Sequence, residues 1–421
     1  MRKSAQCRIR PYPPVITPTY PAVAHPKNCL EFFEVGPAPL LTEYQVQRKE
    51  TVWFFKPVLV SFWNQANFLV NVPATSRVED FMIPEEKSAA VARALQDTFG
   101  VTEFTDVRWM TKGLSSDLVF RIVVRGTPYL LRIMTRIDER MDPNRIFACM
   151  NAAANAGLTP RVRYSNAENG ISITDFVEAI PFPPTEALVQ LPGTLRRLHA
   201  LPPFPKAFNY VTAHDLFIWR FRKASLLPQD EVEEVFTRYA QVCATYPRLD
   251  ADMVSCHLDL KPENILFDGQ RAWLVDWQAA FVNDRYFDLA VVANFLLGSE
   301  ADELAYLERY FGQQPTDYQR ARFFLMRQAV HIFYASVFLL LGSSGKPIAQ
   351  NGELPSFRDF HRRIWAGEIN LADNDLKIVY GRVHWEQLLQ NMRQPQFEDA
   401  LNLVAGQHAS PEVMRLLPLP K

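Results

Sequence analysis

Four polar residues in the middle of the chain have types and spacing that could support chemistry: His257, Asp259, Asn264 and Asp276. The first three belong to the string HLDLKPEN, which spans residues 257–264, and Asp276 ends an apolar run that begins at Trp273. Transfer of a phosphoryl group to a hydroxyl needs a carboxylate near the nucleophile and oxygen ligands that hold Mg²⁺ on the nucleotide phosphates. Asp259 can supply the carboxylate, and Asn264 and Asp276 can supply the oxygens. The spacing therefore favours a phosphotransferase.

Each of these residues also has a purely structural interpretation. Asp259 and Asn264 could cap loops, His257 could be a hydrogen-bonded core histidine, and residues 268–269 (Asp-Gly) could simply turn a hairpin. Any one of them alone would more often be structural than catalytic. Together, at this spacing and framed by apolar strands, they favour the kinase interpretation over the usual false match of a short motif.

The elements around this string predict two lobes of different character. Alternating apolar residues and turn signals indicate strands over 104–110, 117–124 and 129–134, and again over 161–165 and 171–176. Helices are predicted over 83–100, 143–156 and 186–200, the last interrupted at residues 192–193 (Pro-Gly). After Val177 the chain is mainly helical, apart from short strands between 254 and 277. We therefore expect a small antiparallel β lobe followed by a larger α lobe.

The first 81 residues differ in composition from the rest, with eight prolines among the first 39 positions. Residues 1–81 are expected to be a Pro-rich extension, either poorly ordered or translated from a start placed too early, with Met82 as the true start. The aromatic stretch at 51–63 leaves a third interpretation, a partner-binding arm. The remaining divisions are an N lobe over 82–178, which would cover the nucleotide, and a catalytic and substrate-binding C lobe over 179–421.

Composition excludes several classes of partner and site. Lys plus Arg total 45 against 46 Asp plus Glu, so no global basic field exists for nucleic acid or an anionic membrane. Five scattered cysteines without CxxC or Cys/His spacing disfavour a disulfide framework and a zinc site. The most apolar run, 332–341, is shorter than the ~18 residues of a membrane span. Since no apolar segment follows Arg2 and Lys3 as in a secretory signal, we expect a cytoplasmic protein.

The string at 257–264 resembles the catalytic loop of the aminoglycoside phosphotransferase and choline kinase family. Residues 276–289, DWQAAFVNDRYFDL, match the choline kinase pattern D-[FW]-E-x-A-x-x-N-x-R-x-F-D without a gap, but Gln278 stands where the family usually has Glu. LRRLH at 195–199 and ITDFVE at 173–178 are further marks of the family. The resemblance covers about residues 100–345. It implies an α+β, bilobal, protein-kinase-like fold, with a small antiparallel β N lobe and a larger, mainly helical C lobe.

The resemblance also implies roles in the C lobe. Asp259 would be the catalytic base, and Asn264, which belongs to the same catalytic loop, would bind Mg²⁺ together with Asp276, with ATP as the phosphate donor. Asp288 would support the catalytic loop, or alternatively cap the helix that follows it. Lys261 stands where a cation could meet the γ-phosphate, although an exposed lysine is the simpler interpretation.

Two segments of the N lobe resemble the parts of the family that contact the nucleotide. The turn that contains Gly113, Ser115 and Ser116 precedes a strand, where backbone N–H groups and a hydroxyl would contact phosphate oxygens. The segment from Asp175 through Val177 lies between the two lobes and would offer backbone groups to the adenine. A single glycine before a strand is usually only a turn.

Arg132 stands inside an apolar strand, where protein kinases carry lysine and choline kinases resemble this chain in using arginine. The nucleotide phosphates would balance its charge; otherwise it lies at a sheet edge with its head group in water. Its usual partner, a glutamate on the next helix, is missing from residues 144–146 (Asn-Arg-Ile), which leaves Glu139 as a displaced candidate. Either the ion pair is remodelled or nucleotide affinity is reduced. Asp117 would repel a polyphosphate unless it points away.

The acceptor is expected to be a small alcohol, because nothing resembles the activation segment and APE motif with which protein kinases hold peptides. The family suggests a cationic, amine-bearing molecule such as choline, ethanolamine, thiamine or an aminoglycoside, bound by aromatic faces and carboxylates. Aromatics at helical spacing over 323–338 are more often core than a cage. The alternative is a catalytically impaired nucleotide-binding module of the same fold, and the oligomeric state is left open. Candidate acceptor-binding residues are Trp219, Trp365, Trp385, Tyr334, Glu368, Asp373 and Asp375.

Overall fold

The computed structural model describes residues 83–110, 117–138, 141–206, 210–247, 249–344, 346, 348 and 353–408. These residues belong to one compact unit. The predictions for residues 1–81 and for the phosphate-covering turn lie outside the described residues.

The N-terminal part of the described chain is a helix packed on a five-stranded antiparallel sheet, in the order β1-β2-β3-β5-β4. Helix α1 spans Glu85–Phe99 and ends at Gly100, whose φ of 70° is a left-handed conformation that glycine adopts without strain. The strands are β1 Asp106–Trp109, β2 Leu118–Val124, β3 Thr127–Ile133, β4 Val162–Asn166 and β5 Ile171–Asp175.

Strand alternation turns Arg132 away from the apolar core of this sheet. Its neighbours Leu131 and Ile133 are fully buried, whereas the Arg132 side chain is 19% exposed on the other face. Arg132 is paired in register with Val119 on β2 and with Ser172 on β5, so it lies on a central strand. The alternative that Arg132 lies at a sheet edge is therefore wrong.

Helix α2, Pro143–Asn155, connects β3 to β4. It begins after Asp142, whose side chain accepts a hydrogen bond from the backbone nitrogen of Asn144 at 2.9 Å, and Pro143 occupies the first helical position. One face of α2 packs against β4 and another against the short 3₁₀ turn Trp277–Ala279. The helix therefore links the sheet to the segment that follows Asp276.

The rest of the described chain is mainly helical, with two short antiparallel strand pairs, β6 with β9 and β7 with β8. The expected α+β architecture, a small antiparallel sheet followed by a larger helical part, is confirmed. The strands are β6 Met253–Cys256, β7 Ile265–Phe267, β8 Ala272–Leu274 and β9 Phe281–Asp284. The helices are α3 Pro184–His199, α4 Tyr210–Ala224, α5 Gln229–Thr245, α6 Arg285–Leu296, α7 Glu300–Phe311, α8 Asp317–Ser343, α9 Phe357–Trp365, α10 Asn374–Met392 and α11 Pro395–His408.

Helix α3 is continuous, so the predicted interruption at residues 192–193 is wrong. Pro192 lacks the N–H that an interior helical position would donate, which costs ~3 kcal/mol. The face formed by Leu191, Leu195 and Leu198 is nevertheless almost fully buried. Burial of each leucine contributes roughly 1.5–3 kcal/mol, which outweighs the cost of the proline.

Helix α8 is the central helix of the C lobe and packs against α4, α6, α10 and α11. It contains the apolar run 332–341, and by length and composition it could cross a membrane. However, 67% of its most apolar window is buried inside the fold, as in the core helix of a globular lobe. Within the part of the chain that the structure describes, it is the single helix with this length and composition.

Helices α8 and α10 approach each other through two glycines. A Cβ on Gly342 of α8 would lie 2.7 Å from Cγ1 of Ile378, and one on Gly381 of α10 would lie 2.6 Å from Cγ of Leu339. Both distances are too short for carbon atoms in contact. The close packing of these two helices therefore requires glycine at both positions.

Candidate active site

The string at 257–264 forms the loop between β6 and β7. Asn264 donates through Nδ2 to the main-chain oxygen of Asp259 at 2.7 Å and to its carboxylate Oδ2 at 2.8 Å. These bonds fix the Asp259 side chain and leave Oδ1 of Asn264 as an acceptor oxygen. Because the Asp259 side chain is 32% exposed, its carboxylate is accessible to a small molecule.

Lys261 contacts the same carboxylate, with Nζ 3.1 Å from Oδ2 of Asp259. Burial lowers the pKa of Lys261, but the charges of the surrounding carboxylates, chiefly Asp259 and Asp276, outweigh it and raise the pKa above the usual value. The lysine is therefore cationic and paired, with a side chain only 24% exposed. It is not the solvent-exposed lysine of the simpler interpretation.

Asp288 holds the start of this loop from below. Its two carboxylate oxygens accept hydrogen bonds from the backbone nitrogens of His257 and Leu258, both at 2.8 Å, and Nε2 of His199 lies 3.2 Å from Oδ2. Leu258 has a left-handed φ of 67°, a conformation that costs a leucine about 1–2 kcal/mol unless other contacts enforce it. The geometry matches the predicted support of the loop by Asp288.

The other interpretation of Asp288, a cap of the following helix, is wrong. Helix α6 begins at Arg285, and the capping residue is Asp284, whose Oδ1 accepts from the backbone nitrogen of Tyr286 at 2.8 Å. Asp288 lies one turn inside the helix and is fully buried. The helix therefore carries Asp288 beneath the catalytic loop instead of beginning there.

Asp276 follows β8 and is tied to the catalytic loop through its neighbours. The backbone nitrogen of Val275 donates to the main-chain oxygen of Asn264 at 2.9 Å, and Nε2 of His257 lies 2.9 Å from the main-chain oxygen of Val275. Asp276 itself has a left-handed φ of 69°. His257 is fully buried, so its contact supports the structural part of its predicted role.

An ion pair joins Arg132 of the sheet to Asp276, with Nη1 of the arginine 2.9 Å from Oδ1 of the aspartate. Burial raises the pKa of Asp276, but the charge and hydrogen bond of Arg132 outweigh it and hold the pKa below its usual value. Conversely, burial lowers the pKa of Arg132, and the charges of Asp276 and Asp117 raise it above the usual value. Both groups are therefore charged, and the pair bridges the two lobes.

A second carboxylate, which sequence reasoning assigned no positive role, also faces Arg132. The Asp117 side chain is fully buried, and its Oδ2 lies 4.0 Å from Nε of Arg132. Gln278 donates through Nε2 to the same oxygen at 2.5 Å. Burial raises the pKa of Asp117 to about 6, against the lowering effect of Arg132. Asp117 therefore does not point away from the site, and Arg132 stands beside its charge.

Arg145 occupies the helix position where an acidic partner of Arg132 was expected. It is buried, and it donates from Nη1 to the main-chain oxygen of Ala280 at 2.7 Å and from Nη2 to that of Gln278 at 2.9 Å. Burial lowers the pKa of Arg145. Helix α2 thus stabilises the segment after Asp276, while Glu139, the displaced candidate, lies outside the described residues.

The remaining predicted nucleotide contacts are only partly covered by the structure. Gly113, Ser115 and Ser116 lie outside the described residues. The Asp175 side chain is engaged by Arg163, whose Nε and Nη2 donate to its two oxygens at 2.6 and 3.1 Å. Val177 is partly buried. The backbone nitrogen of Asp175 donates to the main-chain oxygen of Arg161 at 2.9 Å, and a main-chain role of Asp175 and Val177 toward a nucleotide stays a prediction.

Most of the candidate acceptor-binding side chains make structural contacts. Trp385 is 2% exposed and belongs to the core, and Trp365 donates Nε1 to a main-chain oxygen at 2.8 Å. Asp373 caps α10, and Glu368 pairs with two arginines. Trp219 is 51% exposed and stacks under a lysine. These residues do not converge on the catalytic loop.

Tyr334 of α8 and Tyr380 of α10 lie beneath the catalytic loop. Burial raises the pKa of both hydroxyls, and the carboxylates of Asp259 and Glu263 add to that effect, which shows that the two rings lie within electrostatic range of the loop. Their ring centroids are 6.1 Å apart in an edge-to-face arrangement. Tyr334 is 9% and Tyr380 2% exposed, so both rings belong to the hydrophobic core, as expected for aromatics at helical spacing.

Asp117 and Arg145 were missed as site residues because their partners are distant in sequence. Each nevertheless left a signal. Asp117 directly precedes an apolar strand, and Arg145 lies within the otherwise apolar face of α2, among Ile146 and Phe147. A charged residue in an apolar pattern is costly unless it is paired, so both positions called for a partner.

Comparison with known proteins gives a family and a fold. The model of the phosphotransferase enzyme family matches residues 107–324, which is more than half of the chain. Two LicA proteins of Haemophilus influenzae are 26% identical over 255 residues, a match that covers 56% of this chain and 71% or 91% of theirs. A solved choline/ethanolamine kinase family protein from Mesorhizobium loti, 20% identical, superposes with a TM-score of 0.53 over 76% of this chain and 99% of its own, which confirms the protein-kinase-like fold. The chain belongs to the phosphotransferase enzyme family.

Proposed function

We propose that this protein transfers the γ-phosphate of ATP to the hydroxyl of a small amine-bearing molecule of the choline, ethanolamine, thiamine or aminoglycoside type. The observation that carries the proposal is the convergence of Asp259, Asn264, Asp276 and Arg132 at the junction of the two lobes. Their side chains come from three separate segments of the chain. Such a set meets the two needs of phosphoryl transfer, which are positioning and charge neutralisation.

Asp259 is the residue we assign to the acceptor hydroxyl. The bonds from Asn264 Nδ2 orient its carboxylate, which Lys261 also contacts at 3.1 Å, so that the carboxylate is placed to take up the hydroxyl proton. Oδ1 of Asp259 can then accept the proton while Oδ2 keeps its contacts. Lys261, beside Asp259, also places a positive charge where the transferred phosphoryl group would pass.

The donor set of Asn264 and Asp276 fits Mg²⁺. Both residues offer oxygen atoms, which Mg²⁺ prefers, and the Asp276 carboxylate is held ionised. When bound with ATP, Mg²⁺ would neutralise phosphate charge during the transfer. The chain's own contribution is to hold these two oxygens on adjoining backbone segments, since the Val275 nitrogen is bonded to the Asn264 carbonyl.

Arg132 is assigned to the nucleotide phosphates. Its guanidinium lies on a central strand and points out of the core toward Asp276, where it is now neutralised. Phosphate oxygens can replace the carboxylate as its partner, since a guanidinium can bind either a carboxylate or a phosphate through two parallel N–H···O bonds. ATP as the donor favours a cytoplasmic protein, which completes the proposal.

The cationic character of the acceptor rests on the choline kinase pattern over residues 276–289 and on the surroundings of the catalytic loop. Asp259 supplies accessible negative charge there, since its side chain is 32% exposed. A quaternary or protonated amine gains from such a charge.

The test is transfer of phosphate from ATP and Mg²⁺ to a panel of choline, ethanolamine, thiamine and aminoglycosides, measured as acceptor-dependent ADP release with the product confirmed by mass spectrometry. Asp259→Asn should lower turnover by ~10² to 10⁴. Asp97→Asn, which alters an exposed aspartate on α1, is the matched control and should keep the wild-type rate.

A second candidate function is favoured by Gln278 and by the basic residue at 145, both of which depart from the family pattern. In this candidate function the protein binds the nucleotide but does not transfer its phosphate to an acceptor. Stabilisation of the folded protein by ATP, with no phosphorylated product from any acceptor, would support this candidate. Equal transfer by the wild type and Asp259→Asn would contradict the kinase proposal.

A further inference from the structure

Arg132 lies between two carboxylates. Asp276 Oδ1 is 2.9 Å from its Nη1, and Asp117 Oδ2 is 4.0 Å from its Nε. In the proposed reaction Asp276 serves Mg²⁺, so its bond to the arginine has to be given up. Asp117 is not assigned to the metal, so its fully buried side chain can still face Arg132 when Asp276 binds Mg²⁺.

Helix α2 does not provide an anion for this cation within the described residues. Arg145 stands at the relevant position and donates to the main-chain oxygens of Gln278 and Ala280. An arginine there would repel Arg132 if it were not turned toward those carbonyls. The anion that orients Arg132 therefore comes from Asp117, which directly precedes β2, and not from the helix.

Gln278 makes this arrangement possible. Its amide donates to Asp117 Oδ2 at 2.5 Å, and the backbone nitrogen of Thr135 also bonds to the Asp117 carboxylate. A glutamate at 278, the usual residue of the family, would bring a second carboxylate to the same contact. Like charges at such a distance are strongly unfavourable, and Asp276 is only two residues away.

We propose that Asp117 and Gln278 are a matched pair of positioning residues that orient Arg132 for the nucleotide, so that glutamate at 278 is compatible with this site only when residue 117 is uncharged. The inference deepens the proposed function and rests on it. It explains two departures from the family pattern, the glutamine at 278 and the absent acid at 144–146, as parts of one remodelled network.

The test is a double-mutant cycle of wild type, Asp117→Asn, Gln278→Glu and the double variant, with the Kd for Mg·ATP measured by calorimetry and KM and kcat measured separately. In the wild-type background, Gln278→Glu should raise the Kd and the KM for ATP about 10-fold, the size of coupling within one hydrogen-bond network. In the Asp117→Asn background, the amide introduced at 117 can donate to the new carboxylate. The same change should then leave the Kd unaltered or lower it.

Two variants control for charge alone. Gln270→Glu adds the same charge in the exposed turn between β7 and β8, and Asp106→Asn removes the same charge from the exposed strand β1. Neither should change the Kd for ATP. A general loss of folding would lower activity in all Gln278→Glu proteins, whereas the proposal requires rescue by Asp117→Asn.

The outcomes separate this inference from the proposed function. If wild type binds and uses ATP but Gln278→Glu has the same effect in both backgrounds, the matched pair is contradicted and the kinase proposal stands. If wild type does not bind Mg·ATP, the kinase proposal fails. In that case the coupling of positions 117 and 278 is tested by the unfolding equilibrium constants of the four proteins. If Gln278→Glu changes this constant by the same factor with aspartate and with asparagine at 117, the matched pair is contradicted.

Discussion

Nη1 of Arg132 lies 2.9 Å from Oδ1 of Asp276, so the cation assigned to the nucleotide phosphates and the carboxylate assigned to the metal neutralise each other. Arg132 cannot bind phosphate, and Asp276 cannot bind Mg²⁺, while the two residues are paired only with each other. The nucleotide and the metal must bind as a unit for the exchange to be favourable, because each newly separated charge then finds an opposite one. Binding of either alone is expected to be weak.

Replacement of Arg132 by glutamine should weaken ATP binding. The variant keeps a hydrogen-bond donor but loses the charge, and a hydrogen bond to a charged group contributes ~1.5–3 kcal/mol, or roughly 10- to 150-fold in Kd. Calorimetric titration with Mg·ATP gives the measurement. Arg108→Gln, at an exposed position of β1, is the matched control. An unchanged Kd for Arg132→Gln would remove this residue from the nucleotide site.

Asp276→Asn should raise the concentration of Mg²⁺ that gives the half-maximal rate by ~10-fold or more, because a neutral amide oxygen is a poorer ligand for Mg²⁺ than a carboxylate. Initial rates over a range of free Mg²⁺ at saturating ATP test this. The asparagine also releases Arg132, so binding of ATP without metal should improve relative to wild type. A parallel loss of rate at all Mg²⁺ concentrations would speak against a role in metal binding.

Asp288→Asn should lower both stability and turnover. An amide cannot accept from two backbone nitrogens as the carboxylate does for His257 and Leu258, and a buried N–H without a partner costs ~1–3 kcal/mol. Urea unfolding and steady-state kinetics give the two quantities, with a fall in kcat and little change in the KM for ATP. Asp284→Asn, which can keep the helix cap but loses the buried charge that faces Arg322 at 3.2 Å, is the comparison: it should lose stability without a matching fall in kcat per folded molecule.

His361 should destabilise the folded protein as the pH drops below 6.5. Burial lowers its pKa from 6.5 to about 3, although the hydrogen bond with the Phe357 carbonyl raises it. The unfolded chain therefore takes up this proton near pH 6.5 and the folded chain only near pH 3, so unfolding is favoured between these values. At pH 5 the effect is ~2 kcal/mol, from 1.36 kcal/mol for each of about 1.5 pH units.

The variant His361→Phe isolates this contribution. Its absolute stability changes through packing, but the free energy of unfolding should depend less on pH between 6.5 and 4 than in the wild type. The comparison is needed because Asp117 and Asp284, whose pKa values burial raises to about 6, work in the opposite direction: they favour the folded state as the pH falls from 6 to 4. Identical pH slopes for the two proteins would contradict the prediction.

The loop at 257–264 could be predicted from sequence because its contacts are local. Asn264 bonds to Asp259, five residues away, so the spacing itself encodes the geometry. The antiparallel sheet and the helices at 85–99, 143–155 and 184–199 were predictable for the same reason, since alternation and helical period describe one element at a time. The interruption of α3 was mispredicted because burial of its leucine face outweighs the proline.

The network around Arg132 could not be predicted in this way. Gln278 and Asp117 are separated by 161 residues, and Arg145 and Gln278 by 133. No local pattern records that a strand start, a helix face and the segment after β8 meet at one point. The sequence showed only that the usual acid was missing, and the replacement became visible once the fold brought Asp117 to Arg132.

The glycines at the crossing of α8 and α10 bear on how firmly the core beneath the catalytic loop is held. Gly342 and Gly381 let the two main chains touch, and the same helices carry Tyr334 and Tyr380 beneath the catalytic loop. The spacing of the two helices is thus set by main-chain contact at the glycines. Any side chain at either glycine would force the helices apart and shift the buried tyrosines, and with them the packing on which the loop rests.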